Sequence, residues 1–153
     1  MKKLKVTREF LEKLGFTRCD EDGQLWKGDY KQTYVKIWAR HKYGRDKYYW
    51  AFPYYDSEYY AKQMIRYKEG KIKTRPSGVK MMLVSRAVYA WFNGETPDGL
   101  DICHRDDEPD NNYFENLVAL THGDNIRNRK IQGSKKTNYY TVNGLVNENE
   151  ENN

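Results

Sequence analysis

The apolar positions of this chain change period along its length, and the changes divide it into elements. Phe10, Leu11 and Leu14 fall at i, i+1 and i+4 on one face of a short helix. Thr7 can cap that helix, Glu9 and Glu12 suit its early turns, and Gly15 can end it. A period of two follows. It is weak in QLWKGDY (24–30) and clear in YVKIWAR (34–40), where Val35, Ile37 and Ala39 share a face. KYYWAFPYY (47–55) reads as an aromatic strand that Pro53 is expected to stop. Gly23, Gly28 and HKYGRDK (41–47) read as turns, so the first half predicts a small antiparallel sheet. Residues 57–78 fit two patterns: a short helix through Ser57, Tyr60, Ala61 and Met64, or a hairpin turning at Glu69-Gly70. Beyond them the pattern predicts a strand at 79–83 and a helix over 84–92 with Val84, Val88 and Trp91 at i, i+4 and i+7. Asn93-Gly94 stops that helix, ETPDG (95–99) turns, and LDICH is a strand. From Asn143 onward the composition is that of a disordered tail.

Length and composition set the frame for these elements. A chain of 153 residues is expected to form one domain, with room for a small appendage, and can bury a core. Its 14 Tyr and 4 Trp predict an aromatic, partly wet core that includes Trp38 and Trp50. No stretch is long and apolar enough for a membrane helix, and the N-terminus lacks the apolar region of a secretory signal, so no membrane partner is expected. Cys19 and Cys103 have no zinc spacing, which predicts reduced thiols and a cytoplasmic location. The net charge is +5, yet the last ten residues hold three Glu and no Lys or Arg, so residues 1–143 carry +8. A basic body with an acidic end points to a polyanion, and nucleic acid is the first candidate.

The segment VSRAVYAWFNGETPDGLDICHRDDEPDNNYFENLVALTHGDNIRNRK gathers His104, Asn116 and Asn125 in an ordered frame: strand, His, polar loop, Asn, second strand, helix, Asn. His104 and Asn116 are 12 residues apart, and Asn116 and Asn125 are 9 apart. This arrangement resembles the HNH nuclease motif, and most closely the phage-type HNH homing endonucleases. The resemblance covers residues 79–130 and does not extend to the first half. It implies an α+β protein with a ββα-metal nuclease unit. Residues 1–78 would form a small antiparallel β-rich region that is a candidate for DNA contact, and residues 131–153 a basic, then acidic tail. The implied activity is hydrolysis of phosphodiester bonds in double-stranded DNA with Mg2+ or Mn2+. If the chain is phage-encoded, its place is the host cytoplasm.

The chemistry explains the residue types. His takes a proton near neutral pH, and a cation balances charge on the phosphate and leaving oxygen. Magnesium keeps most of its waters and needs only one or two protein oxygens. The resemblance makes His104 the general base, Asn116 the central residue that pins the loop or orients His104, and Asn125 a metal ligand. Thr121 and Asp124 form a capping box that starts the last helix near His122. His122 is read as a surface residue, Asp106 as a brace of the loop, and Asn111-Asn112 as turn formers. Cys103 departs from the homing-endonuclease pattern, where an oxygen ligand often precedes the base. It is a packed residue, a ligand for a softer metal, or the mark of an inactive site, and the first is favoured. Arg105, Arg127, Arg129, Lys130, Lys135 and Lys136 are the candidate DNA contacts. The alternatives are a catalytically inactive DNA-binding module that keeps the ββα shape, and RNA binding on exposed aromatic strands.

Overall fold

The computed structural model describes residues 5–39, 47–124, 138–141 and 144–147. Helix α1 (Arg8–Lys13) begins where Thr7 Oγ1 accepts a hydrogen bond from Phe10 N at 3.0 Å. Strands β1 (Arg18–Cys19), β2 (Leu25–Lys27) and β3 (Tyr30–Lys31) form a small antiparallel sheet. A second sheet contains β4 (Val35–Ala39) and β5 (Lys47–Tyr55). The ambiguous stretch resolves as a helix, α2 (Ser57–Lys68), capped by Asp56 Oδ1 on Tyr59 N. β6 (Val79–Leu83) completes the second sheet in the order β4-β5-β6, paired antiparallel to β5 from Tyr55↔Val79 to Ala51↔Leu83.

Helix α3 (Val84–Asn93) follows without a linker and is buried nearly all round, from Val84 to Trp91. It holds the main core together. Val6, Leu11, Phe16, Leu25, Phe52 and Tyr54 from the first half share one cluster with Val84, Val88 and Trp91 of α3 and with Leu117 and Ala119 further on. Strands β7 (Asp101–His104) and β8 (Leu117–Leu120) pair antiparallel, His104 opposite Leu117 and Cys103 opposite Val118. Strands β9 (Asn138–Thr141) and β10 (Gly144–Asn147) extend this sheet to four strands in the order β10-β9-β8-β7. Among the described residues no helix is long and apolar enough to cross a membrane.

Three expectations need correction. Pro53 does not stop its strand. β4 pairs with β5 only as far as Ala51, so Pro53 sits where that side of β5 has no ladder to donate to. Trp38 is 61% exposed rather than core. The strand forms, but Val35 of its apolar face is exposed as well; the core lies under the Phe52 and Tyr54 end of the sheet, whereas Trp38 pairs with Tyr48 at the far end of edge strand β4. Trp50, nearer the centre, packs against the main cluster. Residues 144–147, read as disordered tail, form β10. Leu145 and Val146 give that segment enough β propensity to pair with Tyr140 and Tyr139.

Candidate functional site

β7 delivers His104 to the mouth of a polar loop. Strand alternation puts Ile102 and His104 on one face and Asp101 and Cys103 on the other. The first face turns toward the main core, against which Ile102 packs. His104 is only 8% exposed, and its Nε2 lies 2.8 Å from Asn112 Oδ1. The Asn112 amide nitrogen donates to Pro109 O at 3.4 Å, which turns the amide oxygen toward the ring. An amide oxygen can only accept, so this contact places a proton on Nε2, and in the neutral ring the lone pair is then on Nδ1.

The loop between the strands is closed on itself. Arg105 N donates to Asn116 O at 2.7 Å, which continues the β7–β8 ladder by one step. Asn116, at the end of the 3-10 turn Phe114–Asn116, donates Nδ2 to Asp106 Oδ1 at 2.9 Å and to Asn111 O at 2.8 Å. Its Oδ1 accepts from Asp106 N at 3.3 Å. Asp106 also accepts from Glu108 N and Asn111 Nδ2. Burial works to raise the Asp106 pKa, but the hydrogen bonds from Asn111, Glu108 and Asn116 outweigh it and hold the carboxyl below its ordinary value. Asp107 takes a left-handed φ of 60°, which Asp tolerates, and donates its N–H to His104 O at 3.1 Å. Arg105, Asp106, Asn111, Tyr113, Glu115 and Asn116 line an open depression of about 350 Å³ on this loop.

The first half of the chain supports the loop from behind. Phe114 N donates to Glu21 O at 3.0 Å, and Gly23 sits directly against the Asn112 backbone. Tyr34 Oη donates to Gly23 O at 2.8 Å and accepts from Leu25 N at 2.9 Å, with burial pushing its phenol pKa up. Asp110 accepts from Tyr48 and Trp50 of β5.

The residues singled out from sequence therefore fall in different places. His104, Asn116 and Arg105 meet around one loop, with Asn116 on the loop backbone rather than on the His104 ring. The ring contact belongs to Asn112, which the sequence presents only as half of a turn-forming pair. Cys103 is buried in a separate apolar cluster with Val118 and Leu120, on the opposite face of β7 from His104. His122 is exposed, with Nδ1 3.0 Å from Asp101 Oδ2, and helical residues begin at His122 with Thr121 Oγ1 accepting from Asp124 N at 3.2 Å. Asn125, Arg127, Arg129, Lys130, Lys135 and Lys136 lie outside the described residues. Among the described residues no three His, Cys, Asp or Glu side chains come together as a metal cage. Of the aromatic candidates for RNA platforms, Tyr54 is buried and Tyr48 and Trp50 are half-buried with their polar tips on Asp110, whereas Trp38 is exposed.

Residues 82–127 match a family model described as HNH endonuclease. The matched span runs from the end of β6 through α3, the β7–β8 hairpin and the start of the last helix. No curated protein and no solved structure matches the chain.

Proposed function

We propose that this chain, through the HNH endonuclease segment its residues 82–127 match, is a metal-dependent endonuclease that hydrolyses DNA phosphodiesters, of the phage homing type. The observation that carries the reading is His104, at a strand end and held through Nε2 by Asn112 beside a braced polar loop. Nδ1 of that tautomer takes the proton from the attacking water. Asn116 keeps the loop closed so that the ring and Arg105 hold their places, and Arg105 contacts the scissile phosphate. Arg127, Arg129, Lys130, Lys135 and Lys136 hold the duplex backbone.

One His and a few short oxygen-bearing side chains suffice for a hard ion that keeps most of its waters, such as Mg2+ or Mn2+. Asn125 is the proposed protein ligand. Such an ion, when bound, supplies positive charge to the phosphate and leaving oxygen. Cys103 offers sulfur, which suits zinc or iron, and its apolar neighbours fit a packing role. Cys103→Ala is therefore expected to cost about 1 kcal/mol of stability and to keep magnesium-dependent plasmid nicking. Loss of nicking in the folded variant would make the sulfur a ligand. A wild type that fails to cleave with every divalent metal tested, while Cys103→Asp gains activity, would favour the inactive DNA-binding module.

DNA affinity is expected to fall steeply with salt, since residues 1–143 carry +8 and phosphate contacts release counterions. Replacing Lys135 and Lys136 together with Gln should lower the slope of log K against log salt by up to about 2. A flat slope in the wild type would mean that the positive charge is incidental to DNA.

A further inference from the structure

We propose that Asp110 is a positioning residue for His104, through which the sheet of the first half sets the orientation of the general base. The proposal rests on the nuclease reading only for its effect on rate; the geometry stands apart from it. Tyr48 Oη donates to Asp110 Oδ2 at 2.6 Å, and Trp50 Nε1 donates to Asp110 Oδ1 at 2.7 Å. The two donors are on β5, on the same face and two residues apart, so together they fix both oxygens of one carboxylate. Lys36 of β4 lies over both rings, 4.5 Å from the Tyr48 centroid and 5.3 Å from that of Trp50, and adds a positive charge near the carboxylate. Those hydrogen bonds, Tyr48 first and then Trp50, hold the Asp110 carboxyl below its ordinary pKa, so it is ionised wherever the enzyme would work.

From Asp110 the link to the ring is short. Asn112 N donates to Asp110 O at 3.2 Å, and Asn112 Oδ1 meets His104 Nε2 at 2.8 Å. A carboxylate anchored at both oxygens fixes the loop two residues from the amide that selects the His104 tautomer. Tyr48, Trp50 and Asp110 stand outside the depression beside Arg105 and Asn116, while Trp50 and Asp110 line a second one, of about 300 Å³, together with Asn112.

The test compares Asp110→Ala, the Tyr48→Phe/Trp50→Phe double variant and the combination of all three. Asp110 is exposed, so its replacement leaves the core intact, and Phe keeps the ring at position 48 and a smaller aromatic ring at position 50, each without its hydrogen-bond donor. In the DNA-free protein, the nitrogen NMR spectrum of the histidine rings is expected to show His104 as the Nε2–H tautomer in the wild type and as a mixture in each variant. Single-turnover cleavage should slow about tenfold in each, while DNA affinity measured with chelator stays unchanged. The combination should slow cleavage no more than about twofold beyond Asp110→Ala, since both sets remove one link. An unchanged His104 ring signature in Asp110→Ala overturns the proposal, whatever the activity. If the wild type cuts no DNA, the nuclease reading fails, and the ring signature alone still decides whether Asp110 positions His104.

Discussion

His104→Ala is expected to reduce the single-turnover rate of DNA cleavage by about 10²–10⁴-fold, the usual contribution of general acid–base catalysis, with DNA affinity retained. The ring is nearly buried, and its removal leaves Asn112 Oδ1 without its donor, so a loss of about 1–3 kcal/mol of stability accompanies the change. His104→Gln separates the two effects. Its amide can still donate toward Asn112 but cannot take a proton from water, so it should lose as much activity and less stability. Rates measured well below each variant's melting temperature make the comparison. Unchanged turnover in either folded variant would remove His104 as the base.

Gly23→Ala should damage the site from a distance in sequence. Gly23 adopts φ 94°, and a Cβ there would lie 2.8 Å from Asn112 Cβ and 3.0 Å from Asn112 C, and closer still to Asn112 O. Neither side can easily retreat. Gly23 O is held by Tyr34 Oη and Gly23 N by Asp20 O, while Asn112 is held by His104 and Pro109. The left-handed conformation costs about 1 kcal/mol for Ala and the clash about 1–3 kcal/mol more. Gly28→Ala is the control, because Gly28 also has a positive φ of 58° but nothing within 4 Å of the added Cβ. The expected result is a larger fall in the urea midpoint and a slower cleavage rate for Gly23→Ala than for Gly28→Ala. Equal effects would mean that the packing of Gly23 on Asn112 does not hold the loop.

Periodic patterning made much of the fold legible before any coordinates. α1 with its Thr7 cap, β6, α3 and the β7–β8 strands follow from apolar spacing, capping chemistry and turn residues, all of which act within a few positions. What was not legible depends on where distant segments meet. Trp38 lies in a strand, as the local pattern predicts, but only the position of the core under Phe52 and Tyr54 decides that it is exposed. Asn112 is the clearest case. An Asn-Asn pair in a polar loop has turn formation as its local explanation, and nothing within the loop tells that Asn112 reaches His104. The contact follows from the loop's path, which is fixed by Asn116 and Asp106 within it and by Glu21, Gly23, Tyr48 and Trp50 from the first half. The order and spacing of His104 and Asn116 were readable because the motif is local, and they lie inside the span matched to HNH endonucleases.

The most direct test of the central claim is conversion of supercoiled plasmid by the wild-type chain with magnesium or manganese, against the same reaction with chelator, followed by sequencing of the ends. The account predicts nicked or linear DNA with ends at defined positions when the metal is present, and intact plasmid when it is removed. Plasmid that stays supercoiled with every divalent metal, in protein that still binds it with a steep salt dependence, would contradict the account and leave a DNA-binding module without catalysis.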